Sequence, residues 1–160
     1  VQQLAPKHFI FRAGWMMGGE EKDKKFIKKI LNQIKDGAIK IYAVDDKLGT
    51  PTYTHDFINN MLNVIERKEY GLYNQVCKGN CSRYDVACEI VKLLGLDIPV
   101  ELVNSDFFIK EYYAPRPYSE QLVNLKLESR GLNNMRNWKD CLAEYIKNYG
   151  IQYIKNEDIK

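Results

Sequence analysis

Two segments in the first half of the chain place apolar residues at helical spacing. The earlier segment ends at Gly37, a residue typical of the position just after a helix, and its apolar residues are Phe26, Ile27, Ile30, Leu31 and Ile34. The later segment starts at Thr54 or Asp56, and either side chain can cap a helix. Its predicted inner stripe consists of Phe57, Met61 and Ile65, with Ile58 and Leu62 beside it.

Two more helices are predicted in the second half. Ser82–Asp85 has the spacing of a capping box, with aspartate in the usual glutamate place. The helix behind it ends at Gly95, and its apolar residues are Val86, Ala87, Ile90, Val91 and Leu94. The last helix spans about Trp138–Tyr149, and its inward residues are Leu142, Tyr145 and Ile146. The charged tail from Gln152 to Lys160 is expected to fray.

Short apolar or alternating runs between these helices predict strands. They are His8–Arg12, Ile39–Val44, Gly71–Val76 and Pro99–Val103. Strands that alternate with helices indicate an α/β fold, and no linker divides the chain into two domains. Because no α/β unit precedes His8–Arg12, the sheet neighbours of this strand would have to come from elsewhere.

The composition is that of a folded globular protein. The chain has 160 residues, of which 45% are hydrophobic and 28% charged, and its net charge is +3. The lysine-rich segment Lys22–Lys29 also contains Asp23, so a solvated helix face explains it better than nucleic-acid binding. Neither a signal peptide nor an apolar stretch of membrane-spanning length occurs in the sequence, so no membrane partner is expected.

The cysteines do not form a zinc pattern. Cys77 and Cys81 are separated by three residues, and no second pair with histidines completes a site. Cys88 and Cys141 fall within helical apolar patterns, as small core residues do. We therefore expect reduced thiols, a cytoplasmic protein and no metal site.

Three loop-like segments carry the candidate chemistry, and they are Arg12–Gly19, Asp46–Asp56 and Ala114–Glu120. Six motifs in and between them follow in chain order: Arg12, Trp15 and Gly18; Val44, Asp45, Gly49, Pro51 and Thr52; Gly71 and Tyr73; Ser82, Tyr84 and Ala87; Arg116, Pro117, Ser119 and Leu125; and Trp138. With this order and spacing, the chain resembles the carboxyl-terminal half of extended short-chain dehydrogenases. The most similar members are the dTDP-4-dehydrorhamnose reductases.

The resemblance implies the last part of a Rossmann sheet in residues 1–19 and, in residues 20–160, mostly a sugar-nucleotide-binding lobe. In the family, a glycine-rich loop holds the pyrophosphate of NAD(P), and a tyrosine with a lysine four positions later supplies the proton. The sequence contains neither Gly-x-Gly-x-x-Gly nor Tyr-x-x-x-Lys. We therefore expect a fragment without catalytic residues that binds no NAD(P), from a parent NAD(P)-dependent oxidoreductase.

Four residues are the candidates for substrate binding. By resemblance, Trp15 lines the sugar pocket, where an aromatic face suits a deoxysugar, although a core tryptophan is the alternative. Arg116 lies between two prolines and by resemblance grips a diphosphate, the alternative being a surface ion pair. Ser119, like Glu120 beside it, steadies that loop or contacts substrate. Thr52 binds substrate or serves as a turn and cap residue.

The histidine at position 55 bears on a metal site. Some relatives bind magnesium at their dimer interface through a glutamate near the position of His55. Because a histidine stands there in this sequence, we expect no metal.

The resemblance leaves three functions open. The first is the substrate-binding half of a keto sugar-nucleotide reductase in deoxysugar biosynthesis, with a nucleoside-diphosphate sugar in a cleft lined by Trp15 and Arg116. The second is a non-catalytic regulatory or interaction subunit, which predicts a filled or shallow pocket, and the third is a sugar-nucleotide epimerase. A strand at Phe9–Arg12 that lacks the missing amino-terminal half has open edges and predicts a homo-oligomer.

Overall fold

Eight short strands pair two by two within residues 1–23, 25–111 and 117–155, which this computed structural model describes. They are β1 (Phe9–Arg12), β2 (Trp15–Met17), β3 (Ile41–Val44), β4 (Leu48–Gly49), β5 (Pro51–Tyr53), β6 (Gly71–Asn74), β7 (Cys81–Ser82) and β8 (Val100–Val103). β1 pairs with β6, β2 with β5 and β3 with β8, all in parallel, whereas β4 pairs antiparallel with β7. Parallel pairs connected through helices confirm the predicted α/β class.

Six α-helices lie in the same described residues. They are α1 (Phe26–Lys35), α2 (Thr54–Glu66), α3 (Arg83–Leu93), α4 (Leu125–Ser129), α5 (Trp138–Tyr145) and α6 (Ile151–Lys155). A π-helical turn, Ile146–Gly150, joins α5 to α6, and 3₁₀ turns cover Glu20–Lys22 and Ser105–Glu111. None of the helices in this part of the chain has both the length and the apolar character needed to cross a bilayer.

The predicted fraying from Gln152 is wrong as far as Lys155. α6 continues because Tyr153 packs back on α1. Its hydroxyl donates to Asn32 Oδ1 at 2.7 Å, and the Lys28 ammonium lies 3.4 Å from the centre of its ring. These partners are more than a hundred residues away in sequence, so the charged tail pattern does not reveal them.

Buried side chains form two separate clusters. The larger one joins α1, α3 and α5 to β3 and β5, and its fully buried members include Ile30, Leu31, Ile41, Ala87, Ile90 and Leu142. The smaller cluster consists of Val64, Tyr73, Leu127 and Leu132, against which Phe9 and Phe11 pack. The smaller cluster therefore holds β1 and β6 to α2 and α4.

β1 has one sheet neighbour within the chain. Phe9–Arg12 lies parallel to Gly71–Asn74, in register from Phe9 opposite Gly71 to Arg12 opposite Asn74. The expectation that all its neighbours come from elsewhere is therefore wrong for one edge, because β6 returns to it after the α2 crossover. No strand covers the other edge in the described part of the chain. The boundary at residue 19 stays a prediction, and β6 lies beyond it.

The start of α2 differs from the expectation. Its N-cap residue is Tyr53, and no side chain caps the helix. The Thr54 hydroxyl instead donates to the Gly18 carbonyl at 3.4 Å, and the Asp56 carboxylate binds Arg136. Both predicted caps are used for contacts with other segments.

The buried face of α2 also differs from the predicted stripe. Asn60 and Val64 are buried, whereas Ile58, Leu62 and Ile65 are exposed. Asn60 is tolerated inside because it donates to Gln75 Oε1 at 2.9 Å and accepts from the Asn134 backbone N–H at 2.8 Å. Periodicity alone cannot place a polar residue whose partners lie so far along the chain.

Candidate functional site

A cavity of about 250 Å³ opens where several elements begin. Its lining includes Trp15 at the start of β2, Pro51 at the start of β5, Phe26 at the start of α1 and Arg83 at the start of α3. Lys25 and Glu120 add charged groups, and Met16, Ile27 and Val86 add apolar surface. Such a mixture of aromatic, aliphatic and charged side chains is typical of a small-molecule site.

Trp15 is held in place from three sides. Its backbone N–H donates to the Thr50 carbonyl at 3.2 Å, and its indole N–H donates to Glu120 Oε2 at 2.9 Å. The indole ring lies flat against Gly49, where a Cβ atom would stand 2.2 Å from the ring. A glycine is required at this position because no side chain fits. The indole is therefore fixed in the cavity wall.

Glu120 reaches the cavity because the segment before it runs beside β4. The Leu48 N–H donates to the Tyr118 carbonyl at 2.9 Å, and the Glu120 N–H donates to the Leu48 carbonyl at 2.8 Å. Ser119 forms the bridge with Leu48 between these two bonds. The pairing turns the Glu120 carboxylate towards Trp15.

Arg83 brings a positive charge over the aromatic wall. Its guanidinium carbon lies 5.5 Å from the centre of the Trp15 ring and 5.6 Å from that of Phe26, within cation–π range. The capping box predicted from the sequence is confirmed and fixes this end of α3. The Ser82 hydroxyl accepts from the Asp85 N–H at 3.0 Å, and Asp85 accepts from the Ser82 N–H at 2.8 Å.

The charges of the described lining suit an anionic ligand with an apolar side. Lys25 and Arg83 are cationic, and Glu120 is the carboxylate among these residues. Guanidinium and ammonium groups bind phosphate oxygens, and an indole face packs on the apolar side of a ring.

The structure describes three of the four predicted substrate-binding residues, and it brings only one of them to the cavity. Trp15 lines the cavity, whereas Thr52 is fully buried and its hydroxyl donates to the Thr50 carbonyl at 3.2 Å. Ser119 is exposed, and its hydroxyl accepts from the Gln121 N–H at 3.3 Å. Arg116 lies outside the described residues. The binding roles of all four stay predictions.

Sequence reasoning missed two cationic residues of this cavity. The capping-box motif contains Arg83 and the lysine-rich segment contains Lys25, and neither pattern predicts a cavity residue. The usable signal was position, since both stand at helix starts, where side chains of an α/β fold meet ligands. What the sequence does not show is that both helix starts converge on Trp15.

His55 lies apart from this cavity. It is exposed, and its ring stacks on Tyr53 with ring centres 4.9 Å apart. Within the described ranges, no group of three or more His, Cys, Asp or Glu side chains is placed to hold a metal ion.

The family model of the RmlD substrate binding domain matches residues 1–151. Among curated proteins, a dTDP-4-dehydrorhamnose reductase from Mycolicibacterium smegmatis is 29% identical over 149 residues, which cover 91% of this chain and 44% of that protein. The chain spans about half the length of the curated relatives it matches.

Solved structures show the same relation in three dimensions. A dTDP-4-dehydrorhamnose reductase from Clostridium acetobutylicum matches with a TM-score of 0.83 and 36% identity, over 92% of this chain and 50% of that one. The reductase of the same name from Yersinia enterocolitica matches with a TM-score of 0.80 and 37% identity, over 89% and 50% of the two chains. The α/β fold described above is thus that of one half of these proteins.

Proposed function

The chain belongs to the RmlD substrate binding domain family, and from this premise we propose that it is the substrate-binding half of an NAD(P)-dependent keto sugar-nucleotide reductase. The ligand is a nucleoside-diphosphate sugar of the dTDP-4-keto-6-deoxysugar kind. The observation that carries the proposal is the cavity in which the Trp15 indole, the Arg83 guanidinium and Lys25 converge. The names of the relatives support the same ligand class.

Each part of the cavity has a role in this proposal. The Trp15 face packs on the apolar side of the deoxysugar, and its hydrogen bond to Glu120 keeps the ring in place. Arg83 and Lys25 bind the diphosphate, for which a planar guanidinium offers paired donors. Arg116 and Ser119 keep the substrate-binding roles that the resemblance implies, and Thr52 supports the strand that carries Pro51.

The nicotinamide cofactor belongs to the other half of the parent protein. The residues of this chain do not fit it, because the sequence contains neither the glycine-rich phosphate loop nor Tyr-x-x-x-Lys. No proton or hydride step is therefore assigned to this chain. The role of this half is to hold and orient the sugar nucleotide, and alone it turns nothing over.

The exposed side of the β1–β6 pair supports a continuation of the sheet. One edge of β1 has no strand beside it among the described residues, and α2 exposes Ile58, Leu62 and Ile65 to 48%, 48% and 37%. In the proposed parent, the remaining Rossmann strands continue from this edge and their helices pack on this apolar face. The four free thiols support a cytoplasmic setting.

The open cavity favours ligand binding over the alternative of an interaction subunit, which predicted a filled or shallow pocket. An epimerase of the same family uses the same ligand class, and no observation in the cavity favours it over a reductase.

Calorimetric titration of a dTDP-sugar into the chain tests the binding role. We expect saturable binding that Trp15→Leu and Arg83→Gln each weaken by about tenfold or more, as lost stacking and lost charge-assisted hydrogen bonds imply. Arg67→Gln is the matched control, because Arg67 is an exposed arginine at the end of α2, away from the cavity. It should leave the affinity unchanged.

Two results would contradict the binding role. One is the absence of binding to a folded chain at millimolar dTDP-sugar. The other is binding that neither cavity variant weakens. Reduction of a keto sugar by the chain alone, followed by the absorbance of the reduced nicotinamide, would refute the assignment of catalysis to the other half.

A further inference from the structure

Two buried thiols lie in contact at the junction of β6 and α5. The sulfur atoms of Cys77 and Cys141 are 3.6 Å apart, although the residues are 64 positions apart in sequence. Cys77 follows β6, and Cys141 lies in the first turn of α5. Their side chains are 2% and 0% exposed. Disulfide sulfurs are about 2 Å apart, so an approach of about 1.5 Å would join this pair.

The surroundings make the two thiols unequal. The side-chain contact with Cys141 and the Tyr53 N–H, whose nitrogen lies 3.5 Å from the Cys77 sulfur, hold the pKa of Cys77 below its ordinary value despite burial. Cys141 is the opposite case. Its contact with Cys77, its burial and the nearby Asp56 charge raise the pKa of its thiol. Cys77 is therefore the nucleophile, and Cys141 the thiol that keeps its proton.

A polar cavity lies on the Cys141 side of the pair. It measures about 290 Å³ and is lined by Asp56, Asn59, Asn60, Asn134 and Arg136. Asp56 Oδ2 belongs to this wall and lies 3.4 Å from the Cys141 sulfur. The Asp56 carboxylate therefore links this cavity to thiols that are themselves almost fully buried.

We propose that Cys77 and Cys141 form a peroxide-sensitive disulfide site, reached through the cavity at Asp56 and Arg136. The Cys77 thiolate attacks one oxygen of hydrogen peroxide, the O–O bond breaks, and the departing hydroxide takes up the thiol proton as water. The Cys141 sulfur then attacks the sulfenic acid on Cys77, the S–O bond breaks, and a second water leaves with the Cys141 proton. Two thiols lose two electrons, and one peroxide is reduced to two waters.

Peptide mapping tests this site without any variant, because trypsin places every cysteine on a different peptide. Cleavage after lysine and arginine gives residues 69–78, 79–83, 84–92 and 140–147, with Cys77, Cys81, Cys88 and Cys141 respectively. The folded chain is exposed to hydrogen peroxide, unfolded in denaturant that contains N-ethylmaleimide to block free thiols, and digested without reductant. We expect peptides 69–78 and 140–147 joined, two hydrogen atoms lighter than their sum, and separated by dithiothreitol.

The other cysteines supply the controls. Cys81 is buried, its thiol donates to the Gly49 carbonyl at 3.9 Å, and burial raises the pKa of the thiol to about 12. Cys81→Ala should therefore form the same joined peptides as the unsubstituted chain. Cys141→Ala should stop at a sulfenic acid on Cys77, which dimedone traps.

Two outcomes would overturn the proposal. The first is recovery of both Cys77 and Cys141 as maleimide adducts under peroxide that oxidises the half-buried Cys88. The second is a joined peptide that contains Cys81 or Cys88 in place of one of the pair. The peptide map of the unsubstituted chain decides whether these outcomes occur, even if Cys141→Ala does not fold.

Discussion

Gly49 decides where the Trp15 indole lies, because the ring occupies the place of a side chain at position 49. A Cβ atom there would stand 2.2 Å from the ring, so Gly49→Ala must push the indole out of the cavity wall. We expect a loss of about 1–3 kcal/mol in the free energy of unfolding, the usual cost of overpacking. We also expect dTDP-sugar affinity to fall by about tenfold or more, as measured by calorimetry.

Gly37→Ala is the control for this prediction. Gly37 has φ +79° and nothing within 4 Å of an added Cβ, so the change costs backbone strain of about 1 kcal/mol and should not alter affinity. Equal losses of affinity in the two variants would show that Gly49 does not act through the indole.

Single residues of the site were predictable where their chemistry is local. Trp15 beside glycines drew attention from the sequence alone, and it lines the cavity. Thr52 is also a candidate because of its motif, but its hydroxyl is buried and donates to the Thr50 carbonyl. Arg83 carries no motif of its own and enters the cavity only because α3 begins next to β2. Proximity of that kind is set by packing between distant segments.

The capping box of α3 links helix stability to the site at the scale of an element. Ser82→Ala removes the acceptor for the Asp85 N–H, so unfolding by urea should show a loss of about 1 kcal/mol. Because Arg83 is the first residue of α3, we also expect weaker dTDP-sugar binding. Ser129→Ala is the matched control, since the exposed Ser129 hydroxyl bonds only the Lys126 carbonyl in the described contacts. Wild-type affinity in a destabilised Ser82→Ala would contradict this link.

An ion pair joins α2 to the segment before α5. Arg136 donates to Asp56 Oδ1 at 2.6 Å and to Oδ2 at 2.9 Å, and the Asp56 side chain is only 8% exposed. Burial opposes ionisation of Asp56, but the bonds from Arg136 outweigh it and hold the pKa of this carboxyl below its usual range. The stabilisation is therefore complete above the unfolded pKa of about 4 and is lost as the pH falls through the folded pKa.

Asp56→Asn should consequently cost about 1–3 kcal/mol at neutral pH, since it removes the charge opposite a partly buried guanidinium. The difference in the free energy of unfolding between the variant and the unsubstituted chain should disappear when urea unfolding is repeated below about pH 4. Glu69→Gln breaks the exposed pair with Arg130 and should change stability by no more than about 0.5 kcal/mol. A gap that stays constant with pH would show that the Asp56 charge is not what stabilises the contact.

The elements were predictable to the extent that their signals are local. The capping box and the stop glycine after α1 are sequence patterns, and both elements lie where these patterns place them. β2 and β5 were expected as loops because three residues of strand carry too little periodicity to detect. The predicted inner stripe of α2 is wrong at Ile65 and at the adjoining Ile58 and Leu62, which are exposed. A hydrogen-bonded Asn60 holds a buried position of the helix instead.

At the scale of the whole molecule, one edge of β1 has no strand beside it among the described residues. The carbonyls of His8, just before β1, and of Arg12, its last residue, accept from the N–H groups of Gly71 and Gln75 at the two ends of β6. By alternation, the backbone groups of Phe9 and Phe11 point to the open edge. Exposed peptide groups on a strand edge are a template for another strand. We propose that, in the absence of the other half of the parent protein, two copies of this chain pair through β1.

Ile10→Lys tests this pairing. Phe9 and Phe11 pack on the smaller core cluster, so Ile10 lies on the opposite face of the strand, where a lysine disfavours edge-to-edge contact. Sedimentation velocity should show a dimer for the unsubstituted chain and mainly monomer for Ile10→Lys. Ile39 lies outside the strands and is 85% exposed, so Ile39→Lys should sediment like the unsubstituted chain. An unsubstituted chain that stays monomeric, or a dimer that both lysine variants retain, would mean that the β1 edge does not drive association.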